Sequence, residues 1–303
     1  MRSAIVVAVI LSSIGQATAE EACESRNISH EQRIAACTNV IEGTQSRSRR
    51  ALAIAYCNRG FALTEKRELD RALADLEEAI RIDPGYACSF SNRGRIWAFK
   101  GDLDRAITDY DTALKLDPNF AVAYNNRGDA LMKRGEVDKA IEDFTTAIKH
   151  DPQSAHAYGN RAWAHQRKRD FPRALADYNT AIELAPDDLL GYINRGNVHR
   201  AMGNLERAGT DYGEAIRVAP TDARGWRNRG MIKLMKNDNA GGIADYNKAI
   251  EYDPSDAYSW NNRGIAKRDS GDKAGAIADF KKALAINPDL SNTRQLLREL
   301  GVR

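Results

Sequence analysis

The sequence has few aromatic residues, little net charge and no long apolar stretch beyond its first residues. Phenylalanine, tryptophan and tyrosine make up 7% of its 303 residues, which suits thin two-helix layers better than one deep core. The net charge is +3, from 45 basic and 42 acidic side chains, so the composition does not indicate nucleic-acid binding. Because no later apolar run could cross a membrane, we expect no stable membrane insertion of the mature chain.

Signs of catalysis are also lacking. The sequence contains no phosphate-binding loop, no nucleophile elbow, no HExxH motif and no paired-carboxylate constellation. His165 and His199 lie one period of the repeat described below apart, but no further metal ligands accompany them, and we expect both to pack in the interior. The sequence therefore predicts a protein that is not an enzyme and that binds neither a metal nor a cofactor.

The N-terminus has the features of a cleavable targeting signal. Arg2 precedes the apolar run from Ala4 to Leu11, and Ala17-Thr18-Ala19 fits the small-x-small cleavage pattern. A membrane anchor is the alternative, but this run is too short to span about 30 Å of hydrocarbon. Residues 1–19 are therefore predicted to be a signal peptide, and the mature chain is predicted to be exported, either periplasmic or secreted.

The four cysteines allow three complete pairings in an oxidising compartment. We favour Cys23 with Cys37, which would tie the segment before the first helix to that helix, and Cys57 with Cys88. Buried free thiols remain the alternative for Cys57 and Cys88.

A period of 34 residues organises most of the chain. Seven of the eight prolines follow it: Pro84, Pro118, Pro152, Pro186, Pro220, Pro254 and Pro288. An asparagine–arginine pair follows it too, with the asparagines at Asn58, Asn92, Asn126, Asn160, Asn194, Asn228 and Asn262. Each unit contains two apolar-periodic stretches with helical spacing. In the third unit Gly135 ends the first stretch and Pro152 stops the second, because glycine accepts positive φ and proline cannot continue a helix.

This pattern resembles the tetratricopeptide repeat family over about four-fifths of the chain. In the third unit the family's positions 4, 8, 20, 24 and 32 are occupied by Tyr124, Gly128, Ala140, Phe144 and Pro152. The resemblance implies an all-α, right-handed superhelical solenoid of seven repeats with a concave inner face. The predicted segments are an N-terminal cap helix and linker at 20–52, repeats at 53–86, 87–120, 121–154, 155–188, 189–222, 223–256 and 257–290, and a capping helix at 291–303.

A charge ladder distinguishes these repeats from the family pattern, which usually has leucine at position 7. Position 7 is arginine in all seven repeats, and an aspartate follows 16 residues later. Since these positions face each other in an antiparallel helical hairpin, we predict seven structural ion pairs: Arg59–Asp75, Arg93–Asp109, Arg127–Asp143, Arg161–Asp177, Arg195–Asp211, Arg229–Asp245 and Arg263–Asp279. Such pairs specify geometry more than they add stability. The alternative is that the arginines line a ligand site.

The resemblance also implies where a partner binds, because family members contact ligands through positions 2, 5, 9, 12 and 13 of the first helix. Among these positions seven side chains are basic and three acidic. We therefore expect a non-catalytic interaction scaffold that holds a protein or peptide of acidic character. The candidate groove residues are Phe61, Arg95, Phe99, Asn125, Lys133, Trp163, Arg167, Asn197, Arg200, Arg224, Arg227, Met231, Tyr258 and Arg268. An anionic envelope polysaccharide bound in the same groove is the alternative.

Overall fold

The computed structural model describes residues 19–25, 27–43 and 48–302, so the predicted signal peptide lies outside the described residues except for Ala19. The described chain is all-α, as predicted, and contains no strand. No helix in this part of the chain has the length and apolar character needed to cross a bilayer. The seventeen helices are α1 Ala19–Glu24, α2 His30–Glu42, α3 Arg49–Glu65, α4 Leu69–Ile82, α5 Ala87–Phe99, α6 Leu103–Leu116, α7 Ala121–Arg134, α8 Val137–His150, α9 Ala155–Arg167, α10 Phe171–Leu184, α11 Leu189–Ala201, α12 Leu205–Val218, α13 Ala223–Met235, α14 Asn239–Tyr252, α15 Ala257–Asp269, α16 Lys273–Ile286 and α17 Ser291–Glu299.

The N-terminal cap contains two helices, where the sequence predicted one. Helix α2 begins at a capping box, in which the Gln32 backbone N–H donates to Ser29 Oγ at 3.2 Å and the Ser29 N–H donates to Gln32 Oε1 at 2.9 Å. The short α1 precedes it and is joined to it by a disulfide between Cys23 and Cys37, with an S–S distance of 2.07 Å. The prediction that these two cysteines pair is therefore confirmed.

The first helix of repeat one starts earlier than the repeat pattern predicts. Its first residue is Arg49, inside the segment expected to be a polar linker. The reason is local, because Ser48 caps the helix and its Oγ accepts a hydrogen bond from the Ala51 N–H at 3.0 Å.

Each repeat folds into a helical hairpin because small residues on the first helix face a large residue on the second. Gly128 of α7 lies against Phe144 of α8, and a Cβ added to Gly128 would come within 2.6 Å of that ring. The turn between the helices needs a left-handed residue, and Gly135 supplies it with φ of 88°. Repeat four uses Arg169 at the equivalent turn with φ of 60°, and Pro172 fits the first turn of its second helix.

The hairpins are arranged in two compact units, one ending at Pro152 and the other beginning at Gln153. Within each unit consecutive helices pack against one another, which confirms the predicted stacking of helix pairs. The first helices of neighbouring repeats also contact each other: α3 with α5 and α5 with α7 in one unit, and α9, α11, α13 and α15 in succession in the other. In each unit the first helices therefore form a common face.

The core consists of a separate layer for each repeat, in agreement with the low aromatic content. The large buried side chain of each second helix fills its layer, and these residues are Leu76, Tyr110, Phe144, Tyr178, Tyr212, Tyr246 and Phe280. At the C-terminal end Leu296 and Leu297 of α17 pack on Phe280 and cover the last hairpin.

Candidate partner-binding face and the arginine–aspartate ladder

The structure places each ladder arginine against the aspartate 16 residues later. In six repeats the arginine Nε and Nη2 donate to the two carboxylate oxygens at 2.7–2.8 Å. In repeat five Arg195 Nη2 donates to Asp211 at 2.7 Å, while its Nε is 3.2 Å from both oxygens. The seven aspartates are buried and the arginines half-buried, so each carboxylate is satisfied by a two-point contact.

Several ladder arginines also reach the preceding layer through Nη1. Arg127 donates to Asp111 at 2.6 Å, and Arg59 donates to Thr38 of the cap at 3.0 Å. Arg195 donates to Asn179 at 2.8 Å and Arg263 to Asn247 at 2.7 Å. Each of these arginines therefore connects a hairpin to the helix before it.

An aromatic ring completes the surroundings of every ladder arginine. The guanidinium carbon lies 4.7–5.9 Å from the centroid of the ring three residues earlier in each of the seven repeats. Hydrogen bonding to the aspartate raises the pKa of Arg59, Arg93 and Arg161 above the ordinary arginine value. These cations are committed to the scaffold, which argues against the alternative that they line a ligand site.

Cys57 and Cys88 are free thiols in the structure, so the favoured disulfide between them was wrong. The two sulfurs instead share one hydrogen-bond donor, because Asn92 Nδ2 lies 3.3 Å from Cys57 Sγ and 3.6 Å from Cys88 Sγ. The hydrogen bond between the thiols raises the pKa of buried Cys57 and lowers that of Cys88. The alternative of free thiols describes this pair.

The predicted groove residues lie on the first helices, and none of them is buried. Phe61 is packed between two guanidinium groups, with Arg95 at 4.6 Å and Arg33 of the cap at 5.7 Å from its ring centroid. Asn197 accepts a hydrogen bond from the Tyr212 hydroxyl at 2.8 Å, so part of its polar capacity serves the scaffold.

Most basic groove residues are paired with acids of the same chain, which the charge count did not anticipate. Five of the seven make ion pairs, namely Arg95 with Glu65 at 2.6 Å, Lys133 with Asp129 at 2.7 Å, Arg224 with Asp222 at 2.8 Å, Arg227 with Asp256 at 3.3 Å and Arg268 with Asp269 at 2.8 Å. The positive charge of this face is therefore smaller than the sequence suggested. Within the described chain Arg167 and Arg200 have no such acidic partner.

Exposed apolar side chains mark the same face. Phe99, Val122, Leu190, Met235 and Tyr258 are 45–56% exposed, and all five occupy position 2 or 13 of a first helix. Burying such side chains against a partner would contribute roughly 25 cal/mol per Å² of apolar surface removed from water. This face is therefore suited to contact an apolar partner surface.

Each unit contains a cavity on its first-helix face. In the N-terminal unit a cavity of about 770 Å³ is lined by Phe61, Cys88 and Val122 of the repeats and by Ile28, His30 and Arg33 of the cap. In the C-terminal unit a slot of about 250 Å³ is lined by His156, Gly159, Trp163, Leu190 and Gly191, among other residues. The cap residues lie outside the 34-residue period, so the repeat pattern carried no signal for their contribution.

The two histidines His165 and His199 are buried in their layers. His199 Nε2 is 4.0 Å from Asp211 Oδ2. Burial lowers the pKa of both imidazoles, while Asp177 near His165 and Asp211 near His199 oppose that shift. Among the residues that the structure describes, no three His, Cys, Asp or Glu side chains are grouped as metal ligands.

Comparison with known protein families gives matches over well over half of the chain. Models described as tetratricopeptide repeat match residues 53–86, 125–188, 193–251 and 257–290, and a model described as TPR repeat matches residues 99–133. A search of curated protein sequences finds no match.

Solved structures show the same architecture. A chain of the APC/C hetero-tetramer Cut9–Hcn1 matches with a TM-score of 0.68 and 17% identity over 90% of this chain and 52% of its own, so the present chain spans about half its length. A tetratricopeptide repeat protein from Parabacteroides merdae matches with a TM-score of 0.61 and 22% identity over 82% of this chain and 98% of its own. YrrB, described as a TPR protein with an unusual peptide-binding site, matches with a TM-score of 0.51 and 18% identity over 62% of this chain and 97% of its own. At these identities the likeness concerns the fold.

Proposed function

Because the chain belongs to the tetratricopeptide repeat family, we propose that it is a non-catalytic scaffold that binds a protein or peptide partner on the first-helix face of its repeats. The family and its structural neighbours are generally interaction scaffolds, and this supports the broad assignment.

The observation that carries the proposal is the position of the exposed apolar side chains. Val122 and Leu190 both stand at position 2 of a first helix, beside the cavities of the two units. The cavity in the N-terminal unit, at about 770 Å³, falls in the size range of ligand pockets, which is roughly 300–1,000 Å³. Its mixture of rings, aliphatic side chains and a few polar groups suits a peptide segment.

The same composition favours a peptide over the polysaccharide alternative. An anionic glycan would be held mainly by cations, and five of the seven basic groove residues are already paired with carboxylates. Apolar anchors such as Phe99 and Val122 would add little to glycan binding, whereas aromatic and aliphatic anchors dominate protein interfaces.

We further propose that the protein acts in the bacterial envelope. The predicted signal peptide and the disulfide between Cys23 and Cys37 both support an exported, oxidising location. Expression in the native host followed by fractionation and intact mass measurement tests this. We expect a species that begins at Glu20 in the envelope fraction; an uncleaved chain in the cytoplasm would contradict the location.

Selection from a random peptide library displayed on phage tests the binding proposal. We expect enrichment on the wild-type protein and loss of the enriched peptides on the Val122→Asp and Leu190→Asp variants. The matched control is Leu116→Asp, since Leu116 is an exposed apolar residue of a second helix. Equal losses with all three variants, or no enrichment over an unrelated protein, would contradict the proposal.

A further inference from the structure

Two arginines of the C-terminal unit differ from the other basic groove residues. Arg167 and Arg200 lie in the last turns of α9 and α11, which are first helices of neighbouring repeats in contact with each other. Within the described residues neither has a carboxylate partner, whereas the other five basic groove residues do. The uncompensated positive charge of the groove is therefore concentrated in repeats four and five.

The surroundings of both side chains favour binding of an anion. The Arg167 guanidinium is exposed and lies 5.8 Å from the ring centroid of Trp163. Arg200 is half-buried, and its Nε is a buried donor without a hydrogen-bond acceptor. An arginine gains most from a carboxylate, because the contact is charge-assisted and can be formed by two parallel hydrogen bonds.

An apolar slot lies on the same two helices. Its volume of about 250 Å³ is smaller than that of pockets for drug-sized ligands, so it suits a single side chain better than a cofactor. Trp163 and the 46%-exposed Leu190 supply its apolar walls. The slot is open because Gly159 has no side chain, and a Cβ there would meet nothing within 4 Å.

Taking the proposed peptide binding as given, we propose that repeats four and five recognise an acidic–apolar segment of the partner. A glutamate or aspartate contacts Arg167 and Arg200, and an apolar side chain two residues away enters the slot between Trp163 and Leu190. The spacing follows from geometry. Trp163 and Arg167 are one helical turn apart, about 6 Å along the helix, and residues i and i+2 of an extended peptide are separated by about 6.6 Å.

Fluorescence anisotropy with defined peptides tests this proposal. The probe is a fluorescein-labelled dodecapeptide with three Leu-Ser-Glu-Ser units, compared with versions in which glutamine or lysine replaces glutamate, or serine replaces leucine. The protein variants are Arg167→Ala/Arg200→Ala and Trp163→Ala. The matched control is Arg224→Ala/Arg268→Ala, which removes two groove arginines that are already paired.

We expect the acidic peptide to bind more tightly than its glutamine and lysine versions. The Arg167→Ala/Arg200→Ala variant should weaken acidic-peptide binding by about tenfold or more, as loss of a charge-assisted contact implies, and should leave the glutamine peptide unchanged. The control pair should change binding less than about twofold, within the range of exposed ion pairs. Because the substituted side chains are exposed or half-buried, circular dichroism should show unchanged folding.

The outcomes separate this inference from the function on which it rests. Equal weakening by the control pair, or equal affinity for acidic and glutamine peptides, would overturn the acidic–apolar site while leaving peptide binding intact. Failure of every peptide, together with a phage selection that shows no enrichment, would contradict the proposed function itself. Binding of sodium alginate that depends on Arg167 and Arg200, in the absence of any peptide binding, would overturn both.

Discussion

Arg127 joins three helices through its two partners: its Nε and Nη2 donate to Asp143 in the same repeat, and its Nη1 donates to Asp111 of the preceding repeat at 2.6 Å. One guanidinium thereby fixes both the hairpin angle and the stacking of adjacent layers. The arrangement takes the place of the apolar contact that leucine usually makes at this position in the family. The ladder therefore serves the scaffold, and specificity must come from the residues that vary between repeats.

Breaking one ladder pair should cost more than removing both partners. Arg93 and Asp109 make two hydrogen bonds of 2.8 and 2.7 Å, with the aspartate buried. We expect Asp109→Ala to lower the free energy of unfolding by about 2–3 kcal/mol, because it leaves a half-buried guanidinium without its acceptor. The Arg93→Leu/Asp109→Leu variant should cost less than that single change. Urea denaturation measures both.

The control for this cycle is the exposed pair of Arg81 and Glu78 on α4, where the Arg81 side chain is 70% exposed. Glu78→Ala should change the free energy of unfolding by less than about 1 kcal/mol. A larger loss from the double leucine variant than from Asp109→Ala would contradict the role of the pair as a satisfied but replaceable contact.

The glycine at position 8 should tolerate no side chain where a ring faces it. In Gly128→Ala the new Cβ would lie 2.6 Å from the Phe144 ring, so we expect destabilisation of about 1–3 kcal/mol by overpacking. Gly213→Ala is the matched control, because a Cβ there meets nothing within 4 Å of a helical glycine. That variant should gain up to about 1 kcal/mol from helix propensity. Thermal denaturation of the two variants distinguishes them, and equal effects would exclude close packing as the cause.

Stability should fall as the pH drops below about 6.5, partly through His165 and His199. Burial lowers the pKa of both side chains in the folded state from the ordinary 6.5. The unfolded chain therefore binds more protons just below pH 6.5, and protonation favours unfolding there. The effect is complete below the folded-state pKa. Asp177 and Asp211 reduce the shift, and further charged groups act on the two sites: Asp170, Arg161 and Arg173 on His165, and Arg195 and Arg207 on His199.

Urea denaturation at pH 7.5 and 5.5 isolates the histidine contribution. The His165→Gln/His199→Gln variant should lose less unfolding free energy between these pH values than the wild type, since carboxylates titrate in both proteins. An identical loss would show that neither imidazole is linked to folding.

Thiol titration should distinguish the two cysteine pairs. The structure has one disulfide, between Cys23 and Cys37, and free thiols at Cys57 and Cys88. Denatured, unreduced mature protein should therefore react with Ellman's reagent at two thiols, and reduced protein at four. Reduction should also destabilise the cap by about 3 kcal/mol, the value expected for a loop of about 15 residues. A count of zero thiols before reduction would indicate that Cys57 and Cys88 are also bonded.

The period of 34 residues was sufficient to predict the helical hairpins, because proline and glycine stop helices for reasons that are independent of context. The ladder geometry was also accessible, since two residues 16 apart in an antiparallel hairpin must face each other. The charge of the groove was not. Asp222 and Asp256, which pair with Arg224 and Arg227, lie in turns before first helices, and their reach depends on local backbone geometry.

Two other features also lay beyond the repeat pattern. The cap residues His30 and Arg33 have no repeat register, so nothing in the sequence placed them at the cavity of the N-terminal unit. Gly242 was expected only to weaken its layer as a helical glycine. The structure shows that Leu234 occupies the space instead, since a Cβ on Gly242 would lie 2.6 Å from Leu234 Cδ2. Such compensation between neighbouring side chains requires coordinates.

Site-specific photocrosslinking in the native host tests the central claim most directly. p-Benzoylphenylalanine placed at Val122, Leu190 or Tyr258 samples the first-helix face, whereas Leu116 and Tyr252 are exposed control positions on second helices. We predict that a protein or peptide adduct of the same mass increment forms at the first three positions and not at the two controls. Adducts only at Leu116 and Tyr252, or at all five positions alike, would contradict the assignment of partner binding to the first-helix face.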